Sequence, residues 1–319
     1  MDAWGRELMV ELYKRYAPDV ERLLRFDAFI PTIGKSYAGE ERRLLYLMTR
    51  FIEPELIIEF SPKRGWTTLH MAAALEDNHK GRIISFELDP IYAALTKRTV
   101  KTARLAHRVE VVVGDVREEF PRVYGDPGTW RSAPEIGFLF VDSDHGAEFA
   151  HWYLGNLFPL VRQNGVIHAH DIEASPERVV NQEPLPLEPT GEEKVLAEHL
   201  VRHRDRYRWF SVADAVRDRA YLAAVRPWGG GDLSFPPGRV RLHPTEKRMG
   251  FERNPSLWIL QTGAQESKTY PDRPFEPLHR TLKQRLAYET RKQIASFYAP
   301  LRERRRMRRV PTPGGLEKR

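Results

Sequence analysis

The chain contains no cysteine. That excludes disulfides, thiolate zinc sites and cysteine nucleophiles together, and it fits a cytoplasmic protein. No apolar run approaches the ~20 residues that a membrane-spanning helix needs. The opening residues, MDAWGRELMVELYKRY, lack a basic start followed by an apolar stretch, so a secretory signal is not expected. Internal repeats are absent. What is present is 319 residues, 41% hydrophobic and 30% charged, enough for one large α/β domain with appendages or for two small domains.

Charge is unevenly spread. His279 to Arg319 carry 13 Lys or Arg against 3 Glu, whereas the preceding residues carry 38 basic and 41 acidic side chains. The body is slightly acidic and the tail basic, so any case for whole-protein nucleic-acid binding rests on the tail alone.

Apolar residues at helical spacing (Leu8, Leu12, Tyr16, Val20, Leu23, Leu24) predict one or two amphipathic helices from Trp4 to Phe26, broken near Pro18. A further helix is expected from Gly39 through GEERRLLYLMTRFI. Short β-branched apolar runs then follow: ELIIEF (55–60), GRIISFEL (81–88), RVEVVVGD (108–115), IGFLFVD (136–142) and NGVIHAHD (164–171). Helical segments alternate with them, TTLHMAAALED, IYAALTKRTVKTARL and EFAHWYLGNLFPLVRQ. That alternation predicts a parallel sheet covered on both faces. Two later strands are expected, RWFSVADAV (208–216) and SLWILQTG (256–263), with Gly- and Pro-rich loops at 182–193 and in the insertion from Arg226 to Pro244. Thr190 is the expected cap of the helix EEKVLAEHLVRH.

Chemistry concentrates at the carboxyl ends of these strands. Glu59-Phe60-Ser61-Pro62-Lys63-Arg64-Gly65-Trp66-Thr67-Thr68 follows the first strand and opens a helix, where open α/β folds bind ligands and where helix N–H groups face an anion. The same stretch also reads as an ordinary βα turn with a threonine cap. Glu87 ends the second strand, where a carboxylate can accept both hydroxyls of a ribose, and Asp115 ends the third, within reach of an adenine amino group. Each acid alone reads equally as a solvated strand end; three in series at βαβ spacing do not.

EFSPKRGWTTLHMAAAL, RIISFELDP, VVVGDV, FVDSDH and LVRQNGVIHAHD, in this order, resemble the successive motifs of class I S-adenosylmethionine-dependent methyltransferases. The branch they resemble is that of the catechol, macrolide-sugar and cephamycin-type O-methyltransferases. The resemblance runs from about Gly39 to Asp171 in register and more loosely to Gly263. It implies a doubly wound, Rossmann-like, mostly parallel α/β sheet of about seven strands, preceded by an N-terminal helical segment (1–38). The S-adenosylmethionine-binding domain would occupy 39–263, and a proline-rich connector with a basic helical tail 264–319. Glu59, the loop from Ser61 to Gly65, and Thr67 would hold the methionine part of S-adenosylmethionine, Glu87 the ribose, and Asp115 would lie near the adenine. The chain departs from the family pattern at Ser61, where glycine is usual, and at Pro62 after it; a side chain there narrows the approach to the cofactor.

Asp142 ends the fourth strand and Asp171 the fifth, with His170 before it. In a parallel sheet these ends can be neighbours, and two carboxylates with an imidazole can bind a divalent cation that holds a substrate hydroxyl and lowers its pKa. The resemblance implies Asp142 and Asp171 as metal ligands, for Mg or Mn. It also implies His145, three residues beyond Asp142, as the base that takes the hydroxyl proton. His170 stands where relatives carry an acid, and an imidazole suits Mn, Fe or Zn better than Mg. The competing reading makes Asp142 and Asp144 caps of the helix that starts near Glu148, with the histidines as ordinary polar residues. His168 reads as structural, on the opposite strand face from His170, and Trp152, Tyr153 and Phe158 read as core.

The acceptor expected is a small molecule with a hydroxyl, a sugar or natural product. Tyr37 would line the cleft mouth, and the aromatics of the 226–244 insertion would form a lid over a ring. For the tail, packing on another subunit through Leu282, Leu286, Ile294 and Phe297 is favoured, giving a homo-oligomer. Contact with an anionic membrane or with RNA phosphates is the alternative. An RNA methyltransferase and a catalytically degenerate binding module are the competing functions; Asp142-Ser143-Asp144-His145, in place of an Asn-Pro-Pro-Tyr-like motif, favours an oxygen nucleophile.

Overall fold

The computed structural model describes residues 4–27, 39–124, 135–172, 176, 191–211, 219–228 and 256–263. Tyr37, Thr190, most of the insertion, and the connector and tail lie outside the described residues.

Three helices lead in: α1 (Arg6–Arg15), α2 (Ala17–Asp27) and α3 (Gly39–Ile52). The break between α1 and α2 falls at Tyr16, and Pro18 sits in the first turn of α2, where an N–H would have no helical acceptor. There follow β1 (Leu56–Phe60), α4 (Trp66–Asp77), β2 (Arg82–Glu87), α5 (Pro90–Thr102), β3 (Val109–Val113), α6 (Val116–Tyr124), β4 (Ile136–Val141), α7 (Ala147–Asn156) and β5 (Val161–His170). The chain continues through α8 (Gly191–Arg202), β6 (Tyr207–Ser211) and α9 (Arg219–Val225) to β7 (Ser256–Gln261).

These strands form one sheet in the order β3-β2-β1-β4-β5-β7-β6. The pairs among β1 to β5 are parallel, and β7 runs antiparallel between β5 and β6. The sheet is therefore doubly wound and mostly parallel, with seven strands, as expected. β1, β4 and β7 are buried along their whole length, which is why they read as mainly apolar runs. Side chains alternate between two cores. Ile57, Phe138, Val166 and Trp258 pack with α1, α2, α3 and α4 on one face, and Ile58, Leu139, Ile167 and Ile259 pack with α6, α7 and α8 on the other.

Two boundaries differ from the periodicity. The segment 148–163 is not one helix: α7 stops at Asn156, a single 3-10 turn covers Phe158–Leu160, and β5 begins at Val161. Pro159 explains this, because its ring would clash with the carbonyl of Gly155 and it offers no N–H. β6 spans Tyr207–Ser211, and 212–218 lie outside the described residues.

The fold positions the site through register. Glu59 pairs with Ser85, and Val141 pairs with Ala169. All five parallel strands thus end at one edge, and the strand order reverses between β1 and β4, the switch point where such sheets leave a crevice.

Candidate active site

At the end of β1, Glu59 is fully buried and its carboxylate gathers three hydroxyls. Thr67 Oγ1 donates to Oε1 at 2.8 Å, Thr68 Oγ1 to Oε2 at 2.8 Å, and Ser85 Oγ also donates to Oε2. Burial pushes its pKa up to about 7, against the opposing effect of those hydroxyls. Glu59 therefore ties the start of α4 to β1 and β2 from beneath the loop. Above it the backbone is held in left-handed conformations at Ser61 (φ 52°), Lys63 (φ 50°) and Gly65 (φ 75°). Glycine is required at the last. A Cβ on Gly65 would lie 3.0 Å from Thr96 Cγ2 and 3.2 Å from its Cα. Ser61 adopts the left-handed conformation although it is not glycine, donating its N–H to the Phe86 carbonyl at 2.9 Å.

Glu87, at the tip of β2, accepts the Lys63 amide on Oε2 and the Asp89 amide on Oε1, both at 2.9 Å. Burial raises its pKa, and the two amides oppose the rise. A carboxylate has about four lone-pair sites, so acceptor capacity for a diol remains. Asp115, beyond β3, is engaged by its own neighbour: Arg117 N, Nε and Nη2 reach it at 2.9, 3.1 and 3.2 Å.

On the other side of the switch point, Asp142, His170 and Asp171 each offer a ligand atom, all within 4.8 Å of one another. His170 Nδ1 lies 3.5 Å from Asp142 Oδ1 and 3.3 Å from Asp171 Oδ1. Donors about 2.1 Å from one ion would stand roughly 3–3.5 Å apart, which the two separations from His170 match. Asp171 holds a positive φ of 59°, strain of the kind kept where surroundings over-determine a site. Burial alone would lower the pKa of His170, but Asp171 and Asp142 outweigh it and hold the imidazole well above its usual range. Asp171 is correspondingly held low by His170 and His145, against burial.

His145 stands just outside this trio. Its Nε2 is 3.5 Å from Asp171 Oδ2, and its Nδ1 is 2.6 Å from Glu192 Oε2 on α8. Asp171 first and Glu192 second push its pKa up to about 10, against burial. Both carboxylates favour the protonated ring, and a cation that took up the charge of Asp171 would lower this pKa and favour a ring able to accept a proton.

The structure brings Glu59, Ser61, Gly65 and Thr67 into one knot, with Glu87 bonded to the same loop, and Asp142, His145, His170 and Asp171 into one cluster. The Asp144 side chain does not touch the cluster's other members in any described hydrogen bond; it accepts the Gly146 amide at 2.9 Å, just ahead of α7. His168 requires a correction. A strand repeats every two residues, so His168 shares its face with His170, and their rings lie 6.5 Å apart. It is nevertheless a core residue, fully buried, kept neutral by burial and by His170, with its ring stacked on Phe140. Tyr153 and Phe158 are core as expected, and Trp152 packs partly buried against them. Sequence reasoning missed Glu192. It reads as the ordinary acid of a helix's first turn, and no local signal couples it to a histidine 47 positions away.

Residues 62–172 match the family described as a methyltransferase domain. The match begins in the β1 loop and ends one residue beyond Asp171, so it contains the candidate site except for Glu59, Ser61 and Glu192. That segment is thus similar to a methyltransferase domain, in keeping with the motif resemblance. Over 130 residues it is 27% identical to a catechol O-methyltransferase of Niastella koreensis, covering 40% of this chain and 55% of that protein. Over 140 residues it is 25% identical to a catechol O-methyltransferase of Mycobacterium tuberculosis, covering 44% and 57%. The chain thus spans a little over half the length of these curated relatives. Among solved structures, the O-methyltransferase TomG of Streptomyces achromogenes, in complex with S-adenosylmethionine, aligns with a TM-score of 0.48 at 15% identity, over 77% of this chain and 89% of that one.

Proposed function

We propose that this protein is an S-adenosylmethionine-dependent O-methyltransferase acting on a hydroxyl of a small molecule, a sugar or natural product, with help from a divalent cation. The observation that carries the reading is the convergence of Asp142, His170 and Asp171 within 4.8 Å at the sheet edge, with His145 Nε2 3.5 Å from Asp171. The donor set suits the cation, and one imidazole among two carboxylates favours Mn, Fe or Zn over Mg.

When bound, S-adenosylmethionine supplies a methyl group whose S–C bond breaks with its electron pair going to sulfur, as the acceptor oxygen's lone pair forms the new C–O bond. The chain's own work is alignment and proton removal. Asp142, His170 and Asp171 would hold the cation that orients the hydroxyl. His145 Nε2 would take the hydroxyl proton. Glu87 would accept the ribose hydroxyls and Asp115 would lie by the adenine, while Ser61, Gly65 and Thr67 shape the loop around the methionine part, braced from below by Glu59.

Calorimetric titration with S-adenosylmethionine and S-adenosylhomocysteine, each with and without Mn or Mg, tests this. Micromolar binding that Glu87→Ala abolishes is expected, together with S-adenosylhomocysteine production from a catechol or sugar panel. A protein that binds neither form of the cofactor under any of these conditions would sink the reading.

A further inference from the structure

The first turn of α8 docks on His145 at two points. The Glu192 amide donates to the His145 carbonyl at 3.0 Å, and the Glu192 carboxylate takes His145 Nδ1 at 2.6 Å. The approach leaves no room for a side chain at Gly191, where a Cβ would come within 2.8 Å of Ala147 N and 2.9 Å of its Cβ. Glu192 is 1% exposed. A carboxylate so deeply buried is tolerated when it is paired and hydrogen-bonded, and the Tyr153 hydroxyl faces it as well.

We propose that Glu192 is a positioning residue for His145, locking the imidazole so that Nδ1 carries a proton and Nε2 presents its lone pair to the hydroxyl held at the cluster. The inference rests on the methyl-transfer reading and adds to it a residue outside the matched 62–172 segment. The chemistry follows from the donor inventory. An ionised carboxylate only accepts hydrogen bonds, so the nitrogen it touches must be the protonated one. The second nitrogen is then left for proton transfer, and its orientation is set by a group that never meets the substrate. The proton leaves the acceptor oxygen for Nε2, and the resulting imidazolium lies between two carboxylates, Asp171 and Glu192.

The test uses the full chain and three variants, Glu192→Gln, Glu192→Asp and His145→Gln. Long-range proton–nitrogen spectra of histidine-labelled protein identify the His145 ring by its loss in His145→Gln. A downfield, slowly exchanging Nδ1 proton is expected in the parent and is lost in Glu192→Gln. With catechol as the probe acceptor, Glu192→Gln should lower kcat by about 10²-fold while KM for S-adenosylmethionine and for catechol stays within a few-fold, and Glu192→Asp should recover part of the loss. An unchanged Nδ1 proton in Glu192→Gln, an unchanged kcat, or a loss of cofactor binding in step with activity would each overturn the proposal. A parent protein that transfers no methyl group to any acceptor while keeping the Nδ1 signature would overturn the methyl-transfer reading instead, and with it the catalytic use of the pair.

Discussion

Glu59 is a carboxyl group whose surroundings offer three hydroxyl donors and no cation among its described hydrogen bonds. Burial dominates, so its pKa stands at about 7 rather than the ordinary 4.5. Between those two values the folded chain holds a proton that the unfolded chain has released, so the contribution of Glu59 to stability is complete below about 4.5 and is lost as pH rises through about 7. The loss is on the order of 3 kcal/mol. Glu59→Gln has no such titration. Unfolding free energies of the two proteins, measured without cofactor from pH 5 to pH 8, should therefore shift in favour of the variant as pH rises. A pH-independent difference would show that the buried carboxyl is not the titrating group.

Among the elements, α5 carries a cap that separates stability from binding. Asp89 accepts the Ile91 amide at 2.7 Å on its side chain, Pro90 occupies the first helical position, and the Asp89 backbone amide donates to Glu87. Asp89→Ala removes the first contact and keeps the last. A loss of about 1 kcal/mol is expected in a denaturant titration, with affinity for S-adenosylhomocysteine unchanged. A variant that loses affinity as well would mean that the cap, and not the amide, orients Glu87. α8 is the opposite case, an element whose packing on α7 brings Glu192 onto His145, so that Gly191 matters there through close approach and not through backbone freedom.

For the whole molecule, the edge where β1, β2, β4 and β5 end joins both halves of the sheet, so a ligand bound there would contact elements from either side of the switch point. S-adenosylhomocysteine at a hundred times its dissociation constant should stabilise the fold by about 2.7 kcal/mol. That corresponds to a rise in Tm of about 5 °C or more for a domain of this size. A melting curve unmoved by saturating ligand would mean that the unfolded chain binds it equally or that the folded chain does not bind it. Among the described residues, no helix is long and apolar enough to cross a membrane, in keeping with the absence of long apolar runs in the sequence.

Strand identity, strand order of function and the acids at the strand ends could all be read from the sequence, because a strand buried on both faces must be apolar throughout and a parallel sheet must end its strands at one edge. Glu59, Glu87, Asp115, Asp142 and Asp171 stand out for that reason, as polar residues that interrupt such runs. The sequence could not reveal that Glu59 faces inward onto hydroxyls, that Arg117 covers Asp115, or that His168 and His170, placed on one strand face by their spacing, have different surroundings. Nor could it couple Glu192 to His145. Those facts depend on which helix lies over which strand end, and helix packing is decided by side-chain contacts between segments far apart in the chain, which no local pattern encodes.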